Sequence, residues 1–165
     1  DGVEVKLSYE PQQSGNTIDS GTGYAVTYTG VEGLTLAYSA SDEVGTTSDL
    51  SGDQTAMKIS YVYGPVTATW TQSEFDVVTT TSDQDVTSVA VTYTVSDEMS
   101  VTYGTETFES TNTGHVDAEY TVLKGSYVSG GMTVSAQMKE AENVAHGTAA
   151  NQDFEYWGLG LAFAF

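Results

Sequence analysis

Apolar and polar residues alternate with a period of two along nearly the whole chain. Val3, Val5, Leu7 and Tyr9 fall on one side of an extended backbone, and Glu4, Lys6, Ser8 and Glu10 fall on the other. The same pattern separates Tyr24, Val26 and Tyr28 from Ala25 and Thr27, and Leu34, Leu36 and Tyr38 from Thr35 and Ala37. Met57, Ile59, Tyr61 and Tyr63 alternate with Lys58, Ser60 and Val62. The alternation continues through 66–71, 88–95, 99–104 and 132–139, and closes with Trp157, Leu159, Leu161, Phe163 and Phe165. Val, Thr, Tyr and Ser dominate; Val, Thr and Tyr suit a pleated, half-covered backbone, and proline occurs only at Pro11 and Pro65. Ten strands are predicted. The segment 116–128 breaks the rule: Val116, Ala118, Tyr120 and Val122 read as one apolar face, which Lys124 would then join. A β-bulge between Val122 and Leu123 is expected there, returning Lys124 to the polar side and Tyr127 to the apolar side.

The connections alternate between tight and long. Tight turns are predicted near Gly30, Gly64, Ser96 and Gly130, and long loops over 11–22, 41–53, 76–84, 110–114 and 143–152. Short turns on one rim and long loops on the other are a mark of outer-membrane barrels. The expected fold is all-β: an antiparallel up-and-down transmembrane β-barrel with about ten strands in this chain, residues 1–165 forming one outer-membrane β-barrel domain. A last strand descending to Phe165 makes every short turn periplasmic and every long loop external. A soluble sandwich also alternates. Against it, the polar face is built of Thr, Ser, Ala and Gly rather than the Lys and Glu of a solvated surface. The aromatics also form two tiers: Tyr9, Tyr24, Tyr38, Tyr103 and Trp157 towards the loops, and Tyr28, Tyr61, Tyr63, Tyr93, Tyr127, Phe163 and Phe165 towards the turns. Two tiers are what the two lipid–water interfaces select.

Composition narrows the function. The 165 residues include 23 acidic side chains and four lysines, with no arginine, for a formal charge of −19. Nucleic-acid binding needs cations against phosphate and is disfavoured. A basic membrane-surface helix is disfavoured too. With 39% hydrophobic residues and 11 tyrosines the chain is too apolar for a disordered acidic segment. The absence of cysteine excludes a disulfide scaffold and a thiolate metal site. No run of about 18 apolar residues is present, so a membrane would be crossed by strands. No signal peptide is visible at Asp1, which fits a removed leader or a chain that begins inside a longer protein.

The tail from Trp157 to Phe165 resembles the terminal strand of Gram-negative general porins, an alternating apolar strand closed by phenylalanine. Gly160, Phe163 and Phe165 match its glycine and aromatic positions; Gly158 departs from the polar residue often found there. The resemblance implies that these residues form a signal read by the barrel-assembly machinery. It also implies a homotrimer in the bacterial outer membrane, in contact with lipid and lipopolysaccharide. General porins usually have sixteen strands, a constriction loop and a facing arginine cluster. Ten strands and no arginine therefore point to the carboxyl-terminal portion of such a barrel, the last ten of sixteen. The competing reading is a complete ten-stranded barrel. Omptin proteases have that strand number, but their catalytic acid and histidine pairs find no counterpart here.

The expected function is a porin, a passive aqueous channel for small hydrophilic solutes and ions, without cofactor or enzymatic step. Glu4, Lys6, Glu10, Lys58, Glu119, Lys124 and Lys139 are the candidate pore-lining residues. The acidic excess suggests a mild cation preference, because a negative potential in a low-dielectric passage concentrates cations. Asp42, Glu43, Asp83 and Asp85 crowd two loops and form a candidate Ca²⁺ site. Their spacing matches no dedicated calcium loop, and a solvated negative loop is the plainer reading. His115 and His146 fall in or beside external loops with no motif linking them to a nucleophile or to each other. The alternative function is a narrow ten-stranded barrel acting in adhesion or ligand binding through its acidic loops.

Overall fold

A computed structural model describes residues 2–11, 20–43, 51–77, 83–110, 114–144, 146 and 153–163. They form ten strands in one antiparallel sheet: β1 (Val3–Glu10), β2 (Gly21–Tyr28), β3 (Leu34–Glu43), β4 (Gly52–Tyr63), β5 (Val66–Val77), β6 (Gln84–Thr94), β7 (Met99–Ser110), β8 (Ala118–Ser129), β9 (Met132–Glu142) and β10 (Phe154–Phe163). Each strand pairs with its neighbours in sequence, so the sheet is a meander from β1 to β10. Short and long connections alternate as the sequence predicts. The β4–β5 and β8–β9 turns have two residues, and Gly130 and Gly131 both take positive φ, at 55° and 81°. That conformation matches the twist of a hairpin and is open to glycine at little strain.

Register fixes two faces. Val5 pairs with Val26, Val26 with Tyr38, and Tyr38 with Met57, so the apolar positions of successive strands share one side. Lys6, Ala25, Ser39 and Ala56 share the other. In β2 and in the central part of β6 the small residues of the second face are partly covered although they are small, while larger apolar neighbours such as Val26, Val89 and Val91 are exposed. Side chains crowd on the inside of a curved sheet and splay on the outside. The hydroxyl-rich face is therefore concave and the apolar face convex.

The rows run obliquely. One starts at Val3, at the turn end of β1, and passes through Ile59 and Val89 to Glu155, near the loop end of β10. This progressive stagger is the tilt that a sheet needs to curl towards a barrel. In the described residues β1 and β10 are not paired with each other, so the sheet is open and the ten strands do not close on themselves.

Among the described residues there is no dry core. Ala118 and Ala141 are the buried apolar residues, and no large side chain is fully buried among the described residues. Leu7 is 82% exposed and Leu161 60%. The accessible surface is 11150 Å², against about 7,900 Å² for a globular protein of this mass. A sandwich would bury the convex face, and this chain presents it outwards.

The segment 118–129 corrects one expectation. Its register with β7 runs unbroken from Phe108↔Ala118 to Met99↔Tyr127, and that with β9 from Glu119↔Glu142 to Ser129↔Met132. No bulge interrupts it. Lys124 reaches the concave face because Ala118, Tyr120 and Val122 are concave as well, with Leu123 and Tyr127 convex.

Candidate functional site

The concave face is the candidate site. Cross-strand hydroxyl pairs line it: Ser60 with Thr69 at 3.0 Å, Thr92 with Thr102 at 2.9 Å and Ser100 with Ser126 at 2.9 Å. Each such pair contributes roughly 0.2–1 kcal/mol and leaves capacity for water. All four lysines lie on this face, and the register places Glu4, Glu10 and Glu106 beside them. Lys6 Nζ sits 3.3 Å from a Glu4 carboxylate oxygen, with both side chains well exposed. Such a pair is worth little stability, at most about 1 kcal/mol. Ser88 donates to Glu106 at 2.7 Å and fixes that carboxylate against the wall.

Of the seven candidate pore-lining residues, six share the concave face: Glu4, Lys6, Glu10, Lys58, Lys124 and Lys139. Glu119 does not. It pairs with Thr107 and Glu142 on the convex face, a consequence of the unbroken parity of β8. Glu106, opposite Ser88 and Tyr120, joins the concave set.

The convex face has a consistent vertical order. In β10, Phe163, Leu161, Leu159 and Trp157 rise from the turn end and give way to Glu155. In β6, Tyr93, Val91 and Val89 give way to Thr87 and Asp85. In β9, Met132, Val134, Ala136 and Met138 precede Glu140 and Glu142. Carboxylates face one another across strands at this upper level: Asp42 opposite Asp53, Glu74 opposite Asp85, and Glu140 opposite Glu155. Tyr38, Tyr103 and Trp157 sit in mid-strand, at the top of the apolar band rather than at the loop rim. Tyr24 and Tyr38 meet there with ring centroids 6.0 Å apart.

Residues 1–127 match the model of the Gram-negative porin family. The chain belongs to the Gram-negative porin family. Porins reside in the outer membrane and are not enzymes, and that holds for this chain. Two solved mutants of Rh. blastica porin share its fold, each with TM-score 0.63 at 20% identity, covering 88% of this chain and 46% of theirs. The chain thus spans about half the length of the solved porins it matches, and its open sheet corresponds to about half a porin barrel. No curated protein matches it. The family match ends before β9, whereas the porin resemblance in the sequence was concentrated in β10.

Within this porin fold the remaining candidates divide. Among the described residues, no three carboxylate or imidazole groups lie close enough to hold a metal ion. Asp42 accepts a hydrogen bond of 2.7 Å from Thr22, and Asp85 lies three strands away opposite Glu74 and Glu109. Asp83 precedes β6, and the side chain of Glu43 lies outside the described residues. At the end of the chain Gly160 is concave, opposite Ser135, and a Cβ there would meet Ser135 Oγ at 2.6 Å. Phe163 is convex and 57% exposed, and Phe165 lies outside the described residues.

One contact has no counterpart in any local motif. His115 and His146 stack with ring centroids 6.2 Å apart and planes at 16°. The Val116 N–H donates to the His146 carbonyl at 3.2 Å, and Asn143 donates to the Asp117 carbonyl at 3.3 Å. The loop-side segments after β7 and after β9 are thereby stitched together. The signal was indirect: loops on the same rim, two strands apart, are spatial neighbours.

Proposed function

We propose that this chain forms wall of a passive aqueous channel through the outer membrane, admitting small hydrophilic solutes and ions without a chemical step. The observation that carries the reading is the division of the sheet: hydroxyl pairs and all four lysines on the concave side, large exposed apolar residues on the convex side. A cation preference, if measured, belongs to the loop-side mouth and is mild. Among the described strand side chains the concave face holds four lysines against three glutamates, while the carboxylates that face one another across the strand tops are convex. Charge at the mouth is screened within about 8 Å at physiological ionic strength.

The residues proposed to line the channel are Glu4, Lys6, Glu10, Lys58, Glu106, Lys124 and Lys139. Backbone groups at the edges of β1 and β10 need strand partners in hydrocarbon. We assign these to further strands of one barrel, which assembles as a homotrimer, contacts lipopolysaccharide and is recognised by the assembly machinery through its terminal strand. Liposome swelling tests the channel. Sugars of increasing size enter at falling rates if the reading is right, and liposomes that swell with none of them contradict it.

A further inference from the structure

The concave face changes character between β6 and β10. Over β1–β4 it carries mainly Ala, Ser, Thr and Gly, with Glu4, Lys6, Glu10 and Lys58 among them. Over β7–β10 it forms a grid whose first row is Glu106, Tyr120, Ala141 and Phe154. The second row is Gly104, Val122, Lys139 and Tyr156, and the third is Thr102, Lys124, Gln137 and Gly158. All of these residues but Thr102 and Gly158 line an open hollow of ≈ 710 Å³ on the inside of the sheet. Gly104 and Ala141 are buried and make its floor. Tyr120 is braced edge-on by Phe108, with centroids 5.4 Å apart. Tyr156 leans over Gly158, where a Cβ would lie 2.7 Å from its hydroxyl oxygen, so the missing side chain makes room for the ring. Half of Tyr156 is exposed.

We propose that this hollow is a binding subsite for a neutral, hydroxylated ring such as a pyranose. The proposal rests on the channel reading, since it places the concave face in water. Aromatic faces at Tyr120 and Tyr156 suit the apolar C–H face of such a ring. The polar groups decide the charge of the occupant. Glu106 accepts only, Lys124 and Lys139 donate only, and Gln137 does both. An anion would meet Glu106, and a cation would meet two lysines. A ring of hydroxyls, each donor and acceptor, satisfies both kinds.

The test is ion conductance through the full-length protein in planar bilayers, with glucose, glycerol or benzoate added. Glucose is expected to reduce conductance saturably, glycerol to leave it unchanged, and benzoate to act more weakly than glucose. Tyr156→Ala should weaken the glucose effect about five- to tenfold, the loss of one aromatic contact. Tyr156→Phe, which keeps the ring, should change it little. Glu106→Gln and Lys139→Gln should each weaken it. Open channels that show no saturable response to glucose overturn the subsite and leave the channel reading intact. So does benzoate binding that exceeds glucose and tightens in Glu106→Gln, which would mark an anion site. Absence of conductance in the unmodified protein overturns the channel reading, and the subsite with it.

Discussion

The environment of a side chain in this sheet is decided by its parity within its strand. Val91 is convex, in the middle of the apolar band, and its neighbour Thr92 is concave, bonded to Thr102. Replacing Val91 by Arg should destabilise the membrane-inserted protein by roughly 2–4 kcal/mol. Thr92→Lys should cost about 1 kcal/mol or less, the loss of a cross-strand hydroxyl pair. Denaturant titration of the lipid-embedded protein measures both. Parity also separates two glutamates. Glu106→Gln and Lys58→Glu should shift the reversal potential across a salt gradient in opposite directions. Glu119→Gln, on the convex face, should leave it nearly unchanged. A shift from Glu119→Gln as large as that from Glu106→Gln would return Glu119 to the channel wall.

Strands obey the register of their neighbours before the pattern of their own residues, and β8 shows why. Its unbroken pairing on both sides puts Tyr120 and Val122 inside. Inserting one alanine between Val122 and Leu123 would turn Lys124 towards lipid and Tyr127 inwards. Assembly of heat-stable barrel should then be lost, as judged by far-ultraviolet circular dichroism in detergent. An assembled, functional insertion variant would mean that β8 tolerates a bulge after all. Nine of the ten strands were legible because most of their concave positions are small, hydroxylated or charged, so alternation in polarity tracks alternation in side. In β8 the inward residues are aromatic and aliphatic, and polarity no longer reports direction. The carboxylates at the strand tops were hidden for a related reason. Asp42 and Asp85 continue the convex side of β3 and β6, so reading them as loop charge misplaced them. The His115–His146 stack depends on which loops share a rim, and no local motif encodes that.

Over its described residues the molecule is an open curved sheet with a hydroxyl-rich inside, an apolar outside and unpaired outer edges at β1 and β10. In hydrocarbon an unpaired edge leaves several backbone groups without partners, each at a cost of several kcal/mol. The outward amides of β1 and β10 should therefore exchange with solvent as slowly in the membrane as those of β4. Fast exchange confined to those two strands would show that the barrel stays open. The division between the faces is the claim on which the rest stands, and the absence of native cysteine makes it directly measurable. Single cysteines at Leu36, Ile59, Val91 and Leu161, and at Ala37, Ser60, Thr92 and Ser126, can be challenged in the membrane with a charged, lipid-insoluble maleimide. Labelling at the second set and protection of the first are expected; labelling of the first set with protection of the second would overturn the assignment of the two faces.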